Sequence, residues 1–270
     1  MLNWRDPRNP LAGGAERVTE AYLRALLARG HEVAWFANAF EGAAKEEDLD
    51  GLQVVRAGGK FTSWLAARRW VRLQQPFDLI IDQHHGIPWY APWWTKTPVV
   101  AYIHEVLGPI WSSFYPWPIS ALGRWQERWT LRRYRRTSFW TGCQFTCDQL
   151  KALCVESVTP ISYGVDTEAL VELDDRPLIE PLRLIVVSRL APNKRVDHAI
   201  KAVGQLREKG VKTVLRVVGD GQEREALGRL VDELKLQAEV EFAGRLAETE
   251  KDAALRDAHL LLHTSVREGW

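Results

Sequence analysis

Short apolar runs alternate with stretches of helical periodicity along the chain. This is the pattern of parallel strands covered by helices. In the first helical stretch, residues 15–29, Val18, Ala21, Tyr22, Ala25 and Leu26 recur at helical spacing, and Gly30 is placed to stop it. A strand is expected over 31–37 and a helix over 61–73. Strands follow over 78–82 (DLIID) and 98–104 (PVVAYIH), continuous apolar runs of the kind buried on both faces of a parallel sheet. A long amphipathic helix over 118–136 precedes a strand at 138–141, a helix at 145–153 and a strand at 158–163.

Residues 166–181 break the rhythm with charges and two prolines and are read as an interdomain linker. The domains expected are therefore 1–165, the linker 166–181, and 182–270. The second part restarts with a strand at 182–188 (LRLIVVS), a helix at 195–209 and a strand at 213–219 (TVLRVVG). A helix at 222–234, a strand at 239–243, a helix at 249–257 and a strand at 258–264 complete it. The helix at 15 calls for a strand before it, and only residues 1–4 can supply one. At residue 270 the chain stops just after a strand, where a doubly wound sheet would continue. The expectation is a longer parent protein and an incomplete second domain.

Composition narrows the classes. Hydrophobic residues make up 46% and charged residues 26% of the 270 residues, a globular balance. Lys plus Arg is 36 against 35 Asp plus Glu, a net charge of +1, which argues against a dedicated nucleic-acid binder. Cys143, Cys147 and Cys154 have no second Cys or His pair at zinc spacing and are read as reduced thiols of a cytoplasmic protein. No apolar run reaches membrane-spanning length, and the N-terminus lacks a signal-peptide pattern.

The residues that can do chemistry fall at strand ends. Gly13 and Gly14 open the first helix, where glycine lets a ligand approach the free N–H groups of the first turn; the plainer reading is a tight turn. His104 ends a strand, the position where ligands sit in open α/β sheets, and is otherwise a strand-end cap. His84 and His85 are adjacent, so on extended chain they point opposite ways and make a poor metal pair. Arg189 and Lys194, in VVSRLAPNKRVDHAI, put two cations between a strand and the next helix. Such a pair suits a diphosphate and stabilises it as it leaves; two solvated loop cations are the alternative. VVGDGQERE fails as a dinucleotide fingerprint, because the third glycine would fall at Arg224. That disfavours an NAD-dependent oxidoreductase, while Gly219 and Gly221 remain a candidate wall for a nucleotide pocket. FAGRL contributes Gly244, Arg245 and Leu246 at another strand end, and Glu268 follows a fourth.

In order and spacing, LNWRDPRNPLAGGAERV, DLIIDQHHGIPWYAP, PVVAYIHEVLGPIW, YGVD, SRLAPNKRVDHAI, VVGDGQE, EFAGRL and SVREGW resemble the retaining glycosyltransferases of family 4 over nearly the whole chain. The resemblance implies a GT-B fold, an α/β architecture of two Rossmann-like domains facing across a cleft, with acceptor bound by the first and nucleotide sugar by the second. It implies that Gly13 and Gly14 face donor phosphate and acceptor and that His104 lies near the transferred sugar. Arg189 and Lys194 match an Arg-x4-Lys pair that holds the donor diphosphate. Glu268 matches the first carboxylate of a Glu-x7-Glu motif, whose second member falls beyond residue 270. Gly219, Gly221, Gly244, Arg245 and Leu246 are assigned to donor binding. No metal or other cofactor is expected, and the acceptor is a glycan or a lipid-linked molecule. The serine-rich stretch usual in the family is replaced by GCQFT at 142–146. A catalytically silent fragment with weak nucleotide or membrane-surface binding is the competing reading.

Residues 87–136 are dense in aromatics, and RWQERWTLRRYRR interleaves arginines with them. The favoured reading makes Trp125 and Trp129, four apart, the buried stripe of the 118–136 helix with the arginines solvated. Peripheral contact with an anionic membrane comes second, and nucleic acid last.

Overall fold

A computed structural model describes residues 1–59, 62–74, 76–165 and 177–268. It divides into two compact units: Met1–Trp111 with Trp117–Asp166, and Thr167–Glu268 with Ser112–Pro116.

In chain order the elements up to Pro160 are α1 (Gly14–Leu27), β1 (Ala34–Ala37), β2 (Glu46–Leu49), β3 (Leu52–Arg56), α2 (Ser63–Leu73), β4 (Ile80–His84), β5 (Val99–Ile103), α3 (Trp111–Phe114), α4 (Ile119–Arg133), β6 (Ser138–Thr141), α5 (Gln144–Ala152) and β7 (Val158–Pro160); all belong to the first unit except α3, which from Ser112 on is grouped with the second. Strands run β1-β3-β2 on one side and β4-β5-β6-β7, all parallel, on the other. Residues 1–4 join them. Leu2 bridges in parallel to both Phe36 and Asp82, its N–H donating to Ile81 and its carbonyl accepting from Gln83. The short N-terminal segment thus supplies the strand that α1 calls for. Alternation along β1 explains its two-sided burial. Trp35 and Ala37 pack with Leu23 of α1, while Phe36 packs with Ala67 of α2 on the other face.

The β2–β3 hairpin is absent from the expected strands. It is antiparallel, and its turn is Asp50-Gly51, with φ of 52° and 87°. Two consecutive left-handed residues are what a two-residue hairpin turn needs. The apolar LQVV run was there to be read, but short acidic β2 (EEDL) hides its partner.

The second unit holds β8 (Leu182–Val187), α6 (Val196–Glu208), β9 (Thr213–Val218), α7 (Arg224–Glu233), β10 (Val240–Gly244), α8 (Glu248–Asp257) and β11 (Leu260–Leu261). The parallel sheet has the order β10-β9-β8-β11. Leu184 and Val186 face a cluster that includes Ile200 of α6 and Leu227 of α7, while Ile185 faces Val218 and Ala254 of α8 on the other side. This two-sided burial is why residues 184–187 (LIVV) are continuously apolar, while Arg183 at the start of the strand is part-exposed.

Several expectations need correction. The strand expected over 258–264 is only Leu260–Leu261, and that over 158–163 stops at Pro160, leaving Tyr163 in a loop. Phe61, the expected start of α2, and most of the expected linker (166–176) lie outside the described residues. The reading of α4 is overturned. Trp125 is 62% exposed and Trp129 36%. The inward face is formed instead by Ser120, Gly123, Glu127, Thr130 and Leu131. Glu127 turns inward because its carboxylate accepts hydrogen bonds from the N–H groups of Leu107 and Gly108, at 2.7 and 2.8 Å. A buried carboxylate with defined donors fixes the register of the helix, and the tryptophans are left outside.

Candidate active site

In the second unit the chemistry gathers on the loops that leave β8 and β11, neighbouring parallel strands. After Val187 the chain turns through Pro192–Lys194, and Arg195 takes a left-handed φ of 49° before α6 begins. The loop after β11 is laced to it. Val266 N–H donates to the Asn193 carbonyl and Thr264 Oγ1 to the Lys194 carbonyl, both at 2.9 Å. This brings Lys194 and Glu268, 74 residues apart, into contact: Nζ donates to both carboxylate oxygens, at 2.6 and 2.8 Å. His263 Nε2 lies 3.1 Å from Glu268 Oε1. Burial opposes ionisation of Glu268, but hydrogen bonds from Lys194 and Ser265 and the nearby charges outweigh it and hold the carboxyl below its ordinary range.

Three cations lie in SRLAPNKR, and they have different fates. Arg195 is engaged by Asp197 through two hydrogen bonds, at 3.0 and 3.2 Å. That pairing, aided by Lys201, pulls the Asp197 carboxyl down to about 2. Lys194 holds Glu268. Arg189 is exposed and pairs with no carboxylate among the described residues. On the same loop, Ser188 Oγ and Asn193 Oδ1 are buried with no hydrogen-bond partner among the described residues. Sequence reasoning passed over both; their only signal was a place on the loop between β8 and α6.

The glycines divide by what they touch. A Cβ on Gly219, whose φ is 128°, would stand 1.9 Å from the Ser188 carbonyl oxygen, and one on Gly221, with φ 158°, 2.4 Å from that of Leu190. The GDG loop presses its bare backbone onto the β8 loop, so these glycines serve loop-to-loop packing in the first place. Gly244, at φ 69°, accepts a hydrogen bond from Gly219 N–H. The partly buried Leu246 side chain packs against the Ile185–Val218–Ala254 cluster.

In the first unit His104 lies one residue past β5, among aromatic rings. Its Nδ1 meets the hydroxyls of Tyr163 and, at 3.3 Å, Tyr102. Tyr102 and Tyr163 also hydrogen-bond each other, and burial pushes both phenols above their ordinary range. The Tyr22 hydroxyl, on α1, reaches the carbonyls of Ile161 and Ser162 at 3.4 and 3.5 Å. The His104 Nε2 is buried with no partner among the described residues. Burial, with the charge of His85 second, drops the His104 pKa to about 3, so the ring is neutral near pH 7. His84 is buried against Tyr134 and Phe139, and its pKa falls to about 4. Gly142 has a defined reason: a Cβ there would lie 2.1 Å from the Tyr163 ring. Spacing could not have found Tyr163, 59 residues from His104.

Gly13 and Gly14 are not in a tight turn. Gly13 is extended, with φ −146°, and its N–H donates to Glu16 at 2.7 Å. An added Cβ would meet nothing closer than 3.9 Å at Gly13 and nothing within 4 Å at Gly14. Neither backbone strain nor crowding in the free chain demands glycine there. Among the described residues no group of His, Cys, Asp and Glu side chains could hold a metal ion.

The sequence profile of Glycosyltransferase Family 4 matches residues 12–169. The chain belongs to Glycosyltransferase Family 4. A second profile, of glycosyl transferases group 1, matches residues 176–270. The chain is 33% identical over 114 residues to WcaL of Escherichia coli K12, a glycosyltransferase whose name provisionally assigns it to colanic acid biosynthesis; the match covers 41% of this chain and 27% of WcaL. It is 24% identical over 292 residues to the glycogen synthase of Mycobacterium tuberculosis H37Rv, covering 96% of this chain and 70% of the synthase. In structure it is similar to the sucrose-phosphate synthase of Thermosynechococcus elongatus, with a TM-score of 0.79, 15% identity, and coverage of 100% of this chain and 75% of that one. The likeness shows that this family 4 chain has the GT-B fold.

Proposed function

We propose that this chain moves a sugar, of hexosyl type, from a nucleoside-diphosphate sugar to an acceptor hydroxyl with retention of configuration. The observation that carries the reading is the Lys194–Glu268 pair, with exposed Arg189 on the same loop as Lys194, after adjacent parallel strands. Arg189 and Lys194 are assigned to the donor diphosphate. Glu268, released from Lys194 as a phosphate oxygen takes its place, is assigned to sugar hydroxyls. Ser188 Oγ and Asn193 Oδ1 supply a donor and an acceptor that burial otherwise leaves unspent.

In this reading the acceptor oxygen attacks the anomeric carbon on the face the diphosphate is leaving. The carbon–oxygen bond to the β-phosphate breaks as the new glycosidic bond forms, and the acceptor proton passes to a departing phosphate oxygen. The two cations stabilise the charge that builds on that group. The first unit is assigned to a glycan or lipid-linked acceptor. Neutral His104 offers a hydrogen bond to a sugar hydroxyl, and open Gly13 and Gly14 admit a ligand to the N-terminus of α1. The donor loops of the second unit are assigned through Gly219, Gly221, Gly244, Arg245 and the Leu246 backbone. No metal is called for, and cysteines that form no disulfide among the described residues suit a reducing, cytoplasmic compartment. The domains are assigned as 1–165 and 182–270.

Calorimetry with UDP and a panel of nucleotide sugars, followed by product analysis on the acceptor, tests the reading. Arg189→Ala and Lys194→Met are each expected to lower kcat by roughly a hundredfold or more. Turnover unchanged in both variants would remove the pair from the site, and an inverted product anomer would sink the retaining mechanism.

A further inference from the structure

The outward face of α4 has no role in the transfer reading. Ile119, Leu122, Trp125 and Trp129 form one stripe along it, at 52%, 63%, 62% and 36% exposure. Trp117, at 80%, extends the stripe at its N-terminal end, and half-exposed Trp93 packs edge-on against Trp129 at 5.6 Å. Toward the C-terminal end of the helix the same side turns basic. Arg128, Arg132, Arg133 and Arg136 are exposed, and Arg133 lies over the Trp129 ring at 5.4 Å. Between Glu105 and Asp148 the only carboxylate is Glu127, and it is buried inside. The outward surface is therefore apolar and aromatic at one end, cationic at the other, and without counter-charge of its own.

We propose that this face docks onto an anionic lipid bilayer. Indole rings combine an apolar body with an N–H donor and settle at the boundary between acyl chains and headgroups. Arginine forks pair with lipid phosphates. The helix lies in the surface: among the described residues none is long and apolar enough to cross a membrane. The surface is an outward helix face rather than a groove, which favours a fluid sheet over a peptide inserted between walls. The Trp125–Trp129 pair, four residues apart with centroids at 6.5 Å and planes 21° apart, presents both rings on one side. Docking goes beyond the transfer reading and does not depend on it.

Vesicle flotation of the full chain tests the proposal, with phosphatidylcholine alone against phosphatidylcholine containing one third phosphatidylglycerol. Binding to the anionic vesicles is expected to exceed binding to the neutral ones by about tenfold or more and to weaken as salt rises. At about fivefold per arginine near such a surface, a triple Arg128→Gln, Arg132→Gln, Arg136→Gln variant should bind about a hundredfold more weakly. Trp125→Ser with Trp129→Ser should lose most of the remainder. These side chains are exposed, and far-UV circular dichroism with UDP titration shows whether each variant is folded. Equal flotation with both vesicles, or variants that float like the parent, overturns the proposal. So does retention on RNA without flotation, which would assign the face to nucleic acid. Flotation without UDP binding would leave this inference standing and sink the transfer reading.

Discussion

The two units use the same device, a parallel sheet whose strand-end loops carry the chemistry, and equip it in opposite ways. At the end of β5 the first unit gathers His104, Tyr102 and Tyr163, groups that burial keeps uncharged near pH 7. On the loops after β8 and β11 the second unit carries Arg189, Lys194 and Glu268, with Lys194 donating to a Glu268 carboxyl that is held below its ordinary range. The difference follows from what surrounds each. Large rings around His104 exclude water and make charge expensive. The loops of the second unit leave Lys194 and Glu268 partly exposed, at 16% and 31%, and supply a partner of opposite sign. A neutral centre suits hydroxyl recognition, and an ionic one suits a diphosphate.

The largest expected effect tests how the ionic centre is built. Gly219→Ala forces a methyl against the Ser188 carbonyl at a φ few side chains adopt. It should cost about 4 kcal/mol and lower the second unit's melting temperature by about 20 °C. A shift of only a degree or two in a thermal scan would mean that the two loops are not locked together. Next comes pH. Burial lowers His84 and His104 from the ordinary imidazole value of 6.5 to about 4 and about 3 in the fold. Below about pH 6.5 the unfolded chain therefore takes up protons that the folded chain refuses. The histidines' contribution is fully present above that pH and falls as pH drops, by about 1.4 kcal/mol per unit for each histidine. Glu268 loses its contribution only below its ordinary value of 4.5, while the buried Met1 amino group, lowered from 8.0 to about 5, adds a slope of the same sign between pH 8 and 5, so the histidine share is read from the difference between variant and parent. Urea midpoints at pH 7, 6 and 5 should fall more gently in His84→Gln than in the parent; parallel lines would refute the assignment. The smallest effect on the fold belongs to Gly13→Ala and Gly14→Ala, which meet open space and should shift stability by less than about 0.5 kcal/mol. If the glycines admit a ligand, the same changes weaken substrate binding; unchanged affinity would make them ordinary loop residues.

Much of this was legible along the chain because the signals were local. Continuous apolar runs such as LIVV at 184–187 announced strands covered on both sides, and Gly30 announced the end of α1. Arg189, Lys194, Glu268 and His104 were marked by standing at strand ends. What could not be read was pairing across long separations. Nothing in the sequence joins Lys194 to Glu268 or Tyr163 to His104 except the sheet that brings their loops together. The inverted reading of α4 has the same root. Helical periodicity places Trp125 and Trp129 on a common face, but Glu127 and the two N–H groups it receives decide which face is inside. The β2–β3 hairpin was missed because half of it is acidic and short, although Asp50-Gly51 carried the turn signal.

The Tyr163 ring rests where a side chain at 142 would begin. The two positions are therefore mutually exclusive in bulk: an aromatic at 163 compels a bare α-carbon at 142, and any larger residue at 142 evicts the ring. Sequences of this kind should drift between two solutions, glycine with tyrosine or a hydroxyl-bearing residue with something slimmer, rather than mixing them. A chain that makes the exchange at only one of the two places gives up the hydrogen bond that orients its histidine.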